Sequence, residues 1–333
     1  MHIGAILTVP GGVRLHHTGS DFRRQANGFA ASTTTPIACW DLLGKNILDR
    51  LRERLQVFGV NEISVISEQT MGPGAQLTSS TTAFWHAWNA VIAQYLQLDL
   101  TTLLLLRVGP YLELDIADLV RFHRETASPM TQVYDSRSAL DVVAVDAKQL
   151  AQGSGSFRTR LQGLIPKHGR YPFTGYCNRL VDVRDFHRLV DDALCGRAGI
   201  RPIGKEIRAN VWAGDNARID NSAQISAPAY IGKHSKICPN CIITGTTTIE
   251  QNCEIDSGTT IDHSCILPGS YVGPGLSVCG GVVYQQTFFH LGRNVQLQFR
   301  DRRLFGTNLP GRAFLSHRRA SMSQVPNPRT FVQ

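Results

Sequence analysis

The chain has 333 residues, 42% of them hydrophobic and 18% charged, the make-up of a folded globular protein long enough for two cores. That excludes wholesale disorder, and the longest apolar run, residues 103–106, is far too short to span a bilayer. The formal net charge of +8 is concentrated near one end: Arg300, Arg302, Arg303, Arg312, Arg318, Arg319 and Arg329 face a single acid, Asp301. With Pro310, Pro326 and Pro328 among them, these residues predict a flexible basic tail that solubilises or self-docks; the alternative is binding to an anionic membrane surface or a nucleic acid, though no aromatic interleaving favours the latter.

The sequence opens Met-His-Ile-Gly without a cationic stretch or a small-residue cleavage site, so no signal peptide is expected. Eight thinly spread cysteines, with one C-x-x-C at Cys238 and Cys241 and no second pair, suit reduced, buried thiols in a cytoplasmic protein. Through the first two hundred residues short apolar strands alternate with amphipathic helices. Strands are predicted at 4–9, 62–67, 102–108, 131–134 and 141–145, and helices at 46–58, 84–98, 116–125 and 183–194. In the first helix Ile47, Leu48, Leu51, Leu55 and Phe58 fall on one stripe. Such alternation predicts a mostly parallel sheet with helices on both faces. Ligands of such folds sit beyond the carboxyl ends of the strands, here the loops after Val9, Ser67 and Val108.

The second half obeys a period of six. Ile219, Ile225, Ile231, Ile237, Ile243, Ile249, Ile255 and Ile261 recur at that interval, and Leu267 continues the series. Two positions before each stands a small residue, among them Ala229, Cys241, Cys253 and Cys265. These are hexapeptide repeats, three to a triangular turn, with the isoleucines stacked inside. Residues eighteen apart are then vertical neighbours. The cysteines at 241, 253 and 265 are twelve apart, which disfavours a disulfide or metal ladder and leaves them as small core residues. Beyond Gly269 the register loosens, and residues 271–303 are expected to form a last coil or cap.

A strand–helix domain followed by hexapeptide repeats resembles the sugar-1-phosphate nucleotidyltransferases, or nucleotide-sugar pyrophosphorylases, and the resemblance spans most of the chain. That family opens with a strand and a loop of the form G-G-x-G-T-R-L-x-P. Here LTVPGGVRLHH aligns without a gap: Gly12, Arg14 and Leu15 match, Val9 and Pro10 replace the paired glycines, Val13 the threonine and His17 the proline. Thr35-Pro36-Ile37 stands where the family has K-P-[LM], and Gly44-Lys45-Asn46-Ile47 resembles the G-K-P-[LIM] that opens the next helix. FGVNEISVIS matches the helix-to-strand connection, and LLLLRVGPYLELDIADLVRFHRE the run carrying the metal-binding G-D, here Gly109-Pro110. Asp115 survives at the position that opens the following helix. YPFTGYCNRLVD keeps Thr174, Gly175 and Tyr176 of the segment near the sugar site.

The resemblance implies an α/β fold class. A doubly wound, Rossmann-like (GT-A type) nucleotidyltransferase-like domain would cover 1–203, a left-handed parallel β-helix with a C-terminal cap 204–306, and the basic tail 307–333. The implied reaction joins a nucleoside triphosphate and a sugar 1-phosphate into a nucleotide sugar and pyrophosphate, for nucleotide-sugar or polysaccharide biosynthesis. It asks the protein to position two anions and neutralise charge, with Mg²⁺ held by aspartates. The candidate phosphate-binding residues are Gly11, Gly12 and Arg14, with Arg14 the retained catalytic residue, and the sugar-side residues are Thr174, Gly175 and Tyr176. No metal ligand is assigned. Pro10 has no N–H to donate and Pro110 cannot ligate a cation. The expectation is therefore a weak or non-catalytic protein that binds a nucleotide or sugar phosphate, or regulates an active homologue in a hetero-oligomer, or self-associates through its flat repeat faces. Two alternatives stand beside it. One is an active enzyme with Mg²⁺ whose missing groups are replaced by His16, His17, Asp21, Lys45 or Asp115. The other is a hexapeptide-repeat acyltransferase using His234, His263 or His290.

Overall fold

The structure, a computed structural model, describes residues 2–9, 37–60, 62–67, 77–152 and 155–308. Gly11, Gly12 and Arg14, with His16, His17, Asp21, Thr35 and most of the basic tail, lie outside the described residues.

The first half is built on a six-stranded sheet. In chain order its strands are β1 (Ile3–Val9), β4 (Glu62–Ser67), β5 (Thr102–Arg107), β7 (Met130–Tyr134), β8 (Ala139–Asp146) and β9 (Gly169–Pro172). Two small ladders flank it: β2 (Asp41–Leu42) with β3 (Lys45–Asn46), and β6 (Tyr111–Leu112) with β10 (Cys177–Asn178). The six strands lie in the order β4-β1-β5-β8-β7-β9. β1 is an inner, uncharged strand, and all its residues are buried between parallel neighbours. The sheet is mostly parallel as predicted, with β8 reversed against β5 and β7. The reason is local. β7 and β8 are joined by a tight turn in which the Asp135 carboxylate accepts the amides of Arg137 and Ser138, too short a connection for a parallel crossover.

Alternating residues of the buried strands feed two cores. Leu7, Val9, Leu104 and Leu106 pack with Leu55 of α1 (Ile47–Phe58) and Leu119 and Val120 of α3 (Ile116–Glu125). Ile6, Leu103 and Leu105 face Trp88, Ile92 and Tyr95 of α2 (Leu77–Gln97) and Phe157 of α5 (Phe157–Leu164), with α4 (Ala147–Ala151) alongside. Helices thus cover both faces. α2 begins seven residues before the predicted 84, because the polar stretch Leu-Thr-Ser-Ser-Thr-Thr-Ala carries no apolar period to announce it. Caps fix the other helix starts. The Asn46 side chain accepts the Asp49 amide, Asp115 those of Ala117 and Asp118, and Asp182 opens α6 (Val183–Leu194) in the same way.

In the second half the chain visits three sheets in rotation. Ile231 pairs in parallel with Ile249, Ile219 with Ile237 and then Ile255, and Ile225 with Ile243 and then Ile261, each step eighteen residues. The isoleucines stack into one core, those from Ile237 to Ile261 almost wholly buried. The series does not continue to Leu267. Ile249 pairs with Ile266 and Thr248 with Cys265, a step of seventeen, and the shorter step persists where Ile261 meets Val278 and Ile266 meets Val283. Ile266 therefore enters the repeat core, while Cys265 and Leu267 turn outward and are buried against the first half. The sequence hid this because 264–265 are both small and 266–267 both apolar. Strands Thr287–His290 and Val295–Gln298 then extend one sheet antiparallel, and Phe305–Thr307 runs antiparallel to Ser270–Val272, so 271–303 supplies both a last coil and a cap.

A wide contact joins the halves. Trp40 meets Phe186 of α6 edge-on at 5.3 Å and stacks on Tyr284 at 6.0 Å, within an apolar cluster that includes Tyr230, Cys265, Leu267 and Val282. Buried in the same contact is Glu250, 1% exposed. Its carboxyl oxygens accept the amides of Leu43 at 2.7 Å and Gly44 at 3.0 Å in the β2–β3 turn. Arg50 holds the carbonyl side of the same turn, donating to Leu42, Leu43 and Lys45. Gly44 has φ +93°, and a Cβ there would lie 2.5 Å from the Tyr230 hydroxyl, so both backbone and space demand glycine. Burial, then the neighbouring Asp41, push the Glu250 pKa up to about 8.

Two outcomes follow from this packing. Ile243→Ala, at a fully buried stacked position, is expected to cost about 2–5 kcal/mol, whereas Ile242→Ala next to it, 39% exposed, should stay within about 0.5 kcal/mol. Urea unfolding midpoints at unchanged slope check the contrast. Because the folded Glu250 binds its proton more tightly than the unfolded carboxyl, near 4.5, its contribution is complete below that pH and is lost as pH rises through about 8. Stability measured between pH 5 and 8 should therefore fall more steeply for the natural chain than for Glu250→Gln.

Candidate functional site

The carboxyl edge of the parallel strands is where the fold places a ligand. At this edge β5 ends, Val108 donates its amide to the Thr8 carbonyl at 2.7 Å, and the chain turns through Gly109 and Pro110 into β6. A small recess, open to solvent, lies beside it. Arg50, Arg54, Arg107, Pro110, Tyr111 and Leu114 are among its walls. Three guanidinium groups in one recess suggest an anion site, but their partners say otherwise. Arg50 is committed to the β2–β3 turn. Arg54 donates to the carbonyls of Leu112, at 2.8 Å, and Leu114. Arg107 at the rim is 3.9 Å from Asp141. The first two tie backbone to α1, and the recess wall is held together by them.

The carboxylates at this edge are engaged as well. Asp115 caps α3, the role expected for it. Glu113 accepts from the Gly199 amide and from the Tyr111 hydroxyl, whose own pKa burial and Glu113 push up to about 12. Lys45, offered as a substitute cation, is paired with Glu53. Pro110 itself offers no oxygen but its backbone carbonyl. Among the described residues this edge does not fit a resident Mg²⁺.

The predicted sugar-side residues do come to the same region. The β6–β10 ladder pairs Tyr111 with Asn178, and the Glu113 amide donates to the Tyr176 carbonyl at 3.0 Å, so the segment 174–176 runs beside the loop that follows Gly109 and Pro110. Thr174 and Gly175 are exposed. A Cβ at Gly175 would lie 2.7 Å from the Phe173 ring and 3.0 Å from the Glu113 carbonyl, so glycine is a packing requirement there. The Tyr176 hydroxyl donates to Asp192 at 2.6 Å, and burial followed by that carboxylate raises its pKa. Tyr176, Arg179 and Arg188 line a polar, open depression, in which Arg179 donates to Asp135 at 2.6 Å.

The three histidines considered for acyl transfer are not equivalent. His234 and His263 both adopt left-handed turn conformations, at φ +57° and +44°, positions where other turns of the coil use asparagine or glycine. His290 packs on Phe288 and accepts the Arg293 amide. His263 differs from the others, because its ring sits 4.7 Å from that of His187 on α6, with Asp191 beside both. Sequence reasoning missed His187 and Asp191. Their i, i+4 spacing is a weak signal alone, and nothing in the period of six points to a partner seventy-six residues on.

If Arg54 is a backbone tie, Arg54→Ala should destabilise the chain by about 1.5–3 kcal/mol and leave any nucleotide affinity of the folded protein unchanged. Denaturation and binding titration on the same variant separate that from a phosphate-binding role. No protein-family model and no curated protein matches this chain.

Proposed function

We propose that the chain is a nucleotide-sugar pyrophosphorylase-like protein that binds a nucleotide or sugar phosphate and does not carry out ordinary magnesium-dependent nucleotidyl transfer. In this reading the first half is a doubly wound nucleotidyltransferase-like domain and the coil of three sheets a left-handed β-helix of hexapeptide repeats. One observation carries it: Pro110 stands at the carboxyl end of β5, where the resemblance requires a metal-binding aspartate, and the nearby Glu113 and Asp115 carboxylates are occupied by backbone amides. Nucleotidyl transfer needs charge neutralised at the phosphorus as it becomes five-coordinate. Loss of one such electrostatic contact costs roughly 10²–10³ in rate, and loss of the cation with it leaves little turnover. The exposed Thr174 and Gly175 and the open depression lined by Tyr176 give a sugar phosphate somewhere to rest. Assembly with an active homologue, or with a second copy through the repeat faces, would then make the binding regulatory.

The test uses a panel of nucleoside triphosphates and hexose 1-phosphates with Mg²⁺. Pyrophosphate release should not exceed the protein-free blank, while at least one member of the panel raises the melting temperature. Robust metal-dependent release would refute the non-catalytic reading, and no shift with any ligand would remove the binding role.

A further inference from the structure

His187 and Asp191 lie one turn apart on the face of α6 that packs against the coil, and His263 enters from the turn where the repeat shortens to seventeen residues. Among the described residues these are the three whose ligating atoms converge, all within 4.8 Å of one another. The His187 side chain is 7% exposed, that of Asp191 20% and that of His263 47%.

The hydrogen bonding leaves the right atoms free. His187 Nε2 is 2.9 Å from the carbonyl oxygen of His263, a group that can only accept, so Nε2 carries the proton and Nδ1 keeps its lone pair. That lone pair is 3.9 Å from Asp191 Oδ2, which is in turn 3.5 Å from His263 Nε2. A ligating imidazole whose far nitrogen is tied to a backbone carbonyl is the arrangement that orients metal-bound histidines. The other oxygen of the same carboxylate, Asp191 Oδ1, is buried with no hydrogen-bond partner in the structure, an unmet acceptor that a cation held by both carboxylate oxygens would satisfy.

We propose that His187 Nδ1, Asp191 and His263 Nε2 form a binding site for a divalent cation of the zinc type, which clips α6 to the repeat coil. Metal–ligand bonds of about 2.0–2.2 Å set tetrahedral ligand atoms about 3.3 Å apart. The His263–Asp191 separation of 3.5 Å is close to that spacing, and the His187–Asp191 separation of 3.9 Å exceeds it by about half an ångström, a gap that a small rotation of the Asp191 side chain closes. Two imidazoles and one carboxylate select a borderline cation over Mg²⁺ or Ca²⁺, which prefer oxygen throughout. The fourth position opens on the exposed side of His263 and would hold water. Because the ligands come from both halves, binding stabilises their docking.

Zn²⁺ titrated into metal-stripped full-length protein against a chromophoric chelator should show one tight equivalent and a raised melting temperature. His263→Ala removes an exposed side chain and, with Asp191→Asn, should melt as the natural chain does in chelator yet lose more than the roughly 10–100-fold in affinity that an outer-shell partner costs. Co²⁺ in place of Zn²⁺ should give the visible absorption of a low-coordinate nitrogen and oxygen site. Affinity unchanged in both variants, absence of binding, or a thiolate-to-cobalt charge-transfer band placing the ion on cysteines would overturn the proposal.

Discussion

The buried carboxyl of Glu250 is the constraint around which the two halves are arranged. A carboxyl taken out of water without partners costs several kcal/mol, and the coil offers it none. The amides of Leu43 and Gly44 supply them, and only a turn with glycine in the left-handed region, lying against Tyr230, brings both amides to one carboxyl. Arg50 closes the other side of that turn through its carbonyls, so a single short loop is gripped by an acid from the second half and a base from α1. The contact is therefore directional as well as apolar. The Trp40, Phe186 and Tyr284 cluster supplies area, and the Glu250 hydrogen bonds fix its register.

From that grip the candidate site inherits its character. α1 is held at the turn by Arg50 and, one turn further on, holds the carbonyls of Leu112 and Leu114 through Arg54. Both guanidinium groups point toward the strand edge where an anion would bind, and both are spent on backbone. A cation committed to carbonyls in a part-buried place cannot also neutralise a triphosphate without leaving those carbonyls unpaired. The edge keeps the outline of a ligand-binding crevice while its charges maintain the fold. The junction between α6 and the coil has the opposite balance: His187 is tied by one nitrogen only, and Asp191 retains an oxygen with nothing to accept.

Much of the architecture was legible from residue order. The uncharged run of β1, the amphipathic stripe of α1 and the isoleucines every sixth residue each state a local period, and the structure honours them, with Ile219, Ile237 and Ile255 stacked as eighteen-residue neighbours. Asp115 as a helix cap was legible for the same reason, since capping is decided within three residues. The reversal of β8 was not, because strand direction depends on a four-residue turn whose hydrogen bonds the apolar pattern does not record. Nor was the one-residue shortening between 262 and 265, because the two small residues 264–265 and the two apolar residues 266–267 fit either register.

The sequence by itself therefore determined the two periods, and with them the layered sheet and the three-sheet coil. It also determined the absence of a carboxylate at position 110. Tertiary structure alone decided which outward-facing residues of the coil meet the first half. A repeat of six specifies what points inward and is silent about partners two hundred residues away. Glu250 reads in the repeat as one more polar position after an inward isoleucine, and His263 as one more turn residue. Burial against Leu43 and Gly44 makes the first a lock, and the approach of α6 gives the second its two companions. Hydrogen bonding and metal geometry act over a few ångströms, and only the folded chain sets those distances.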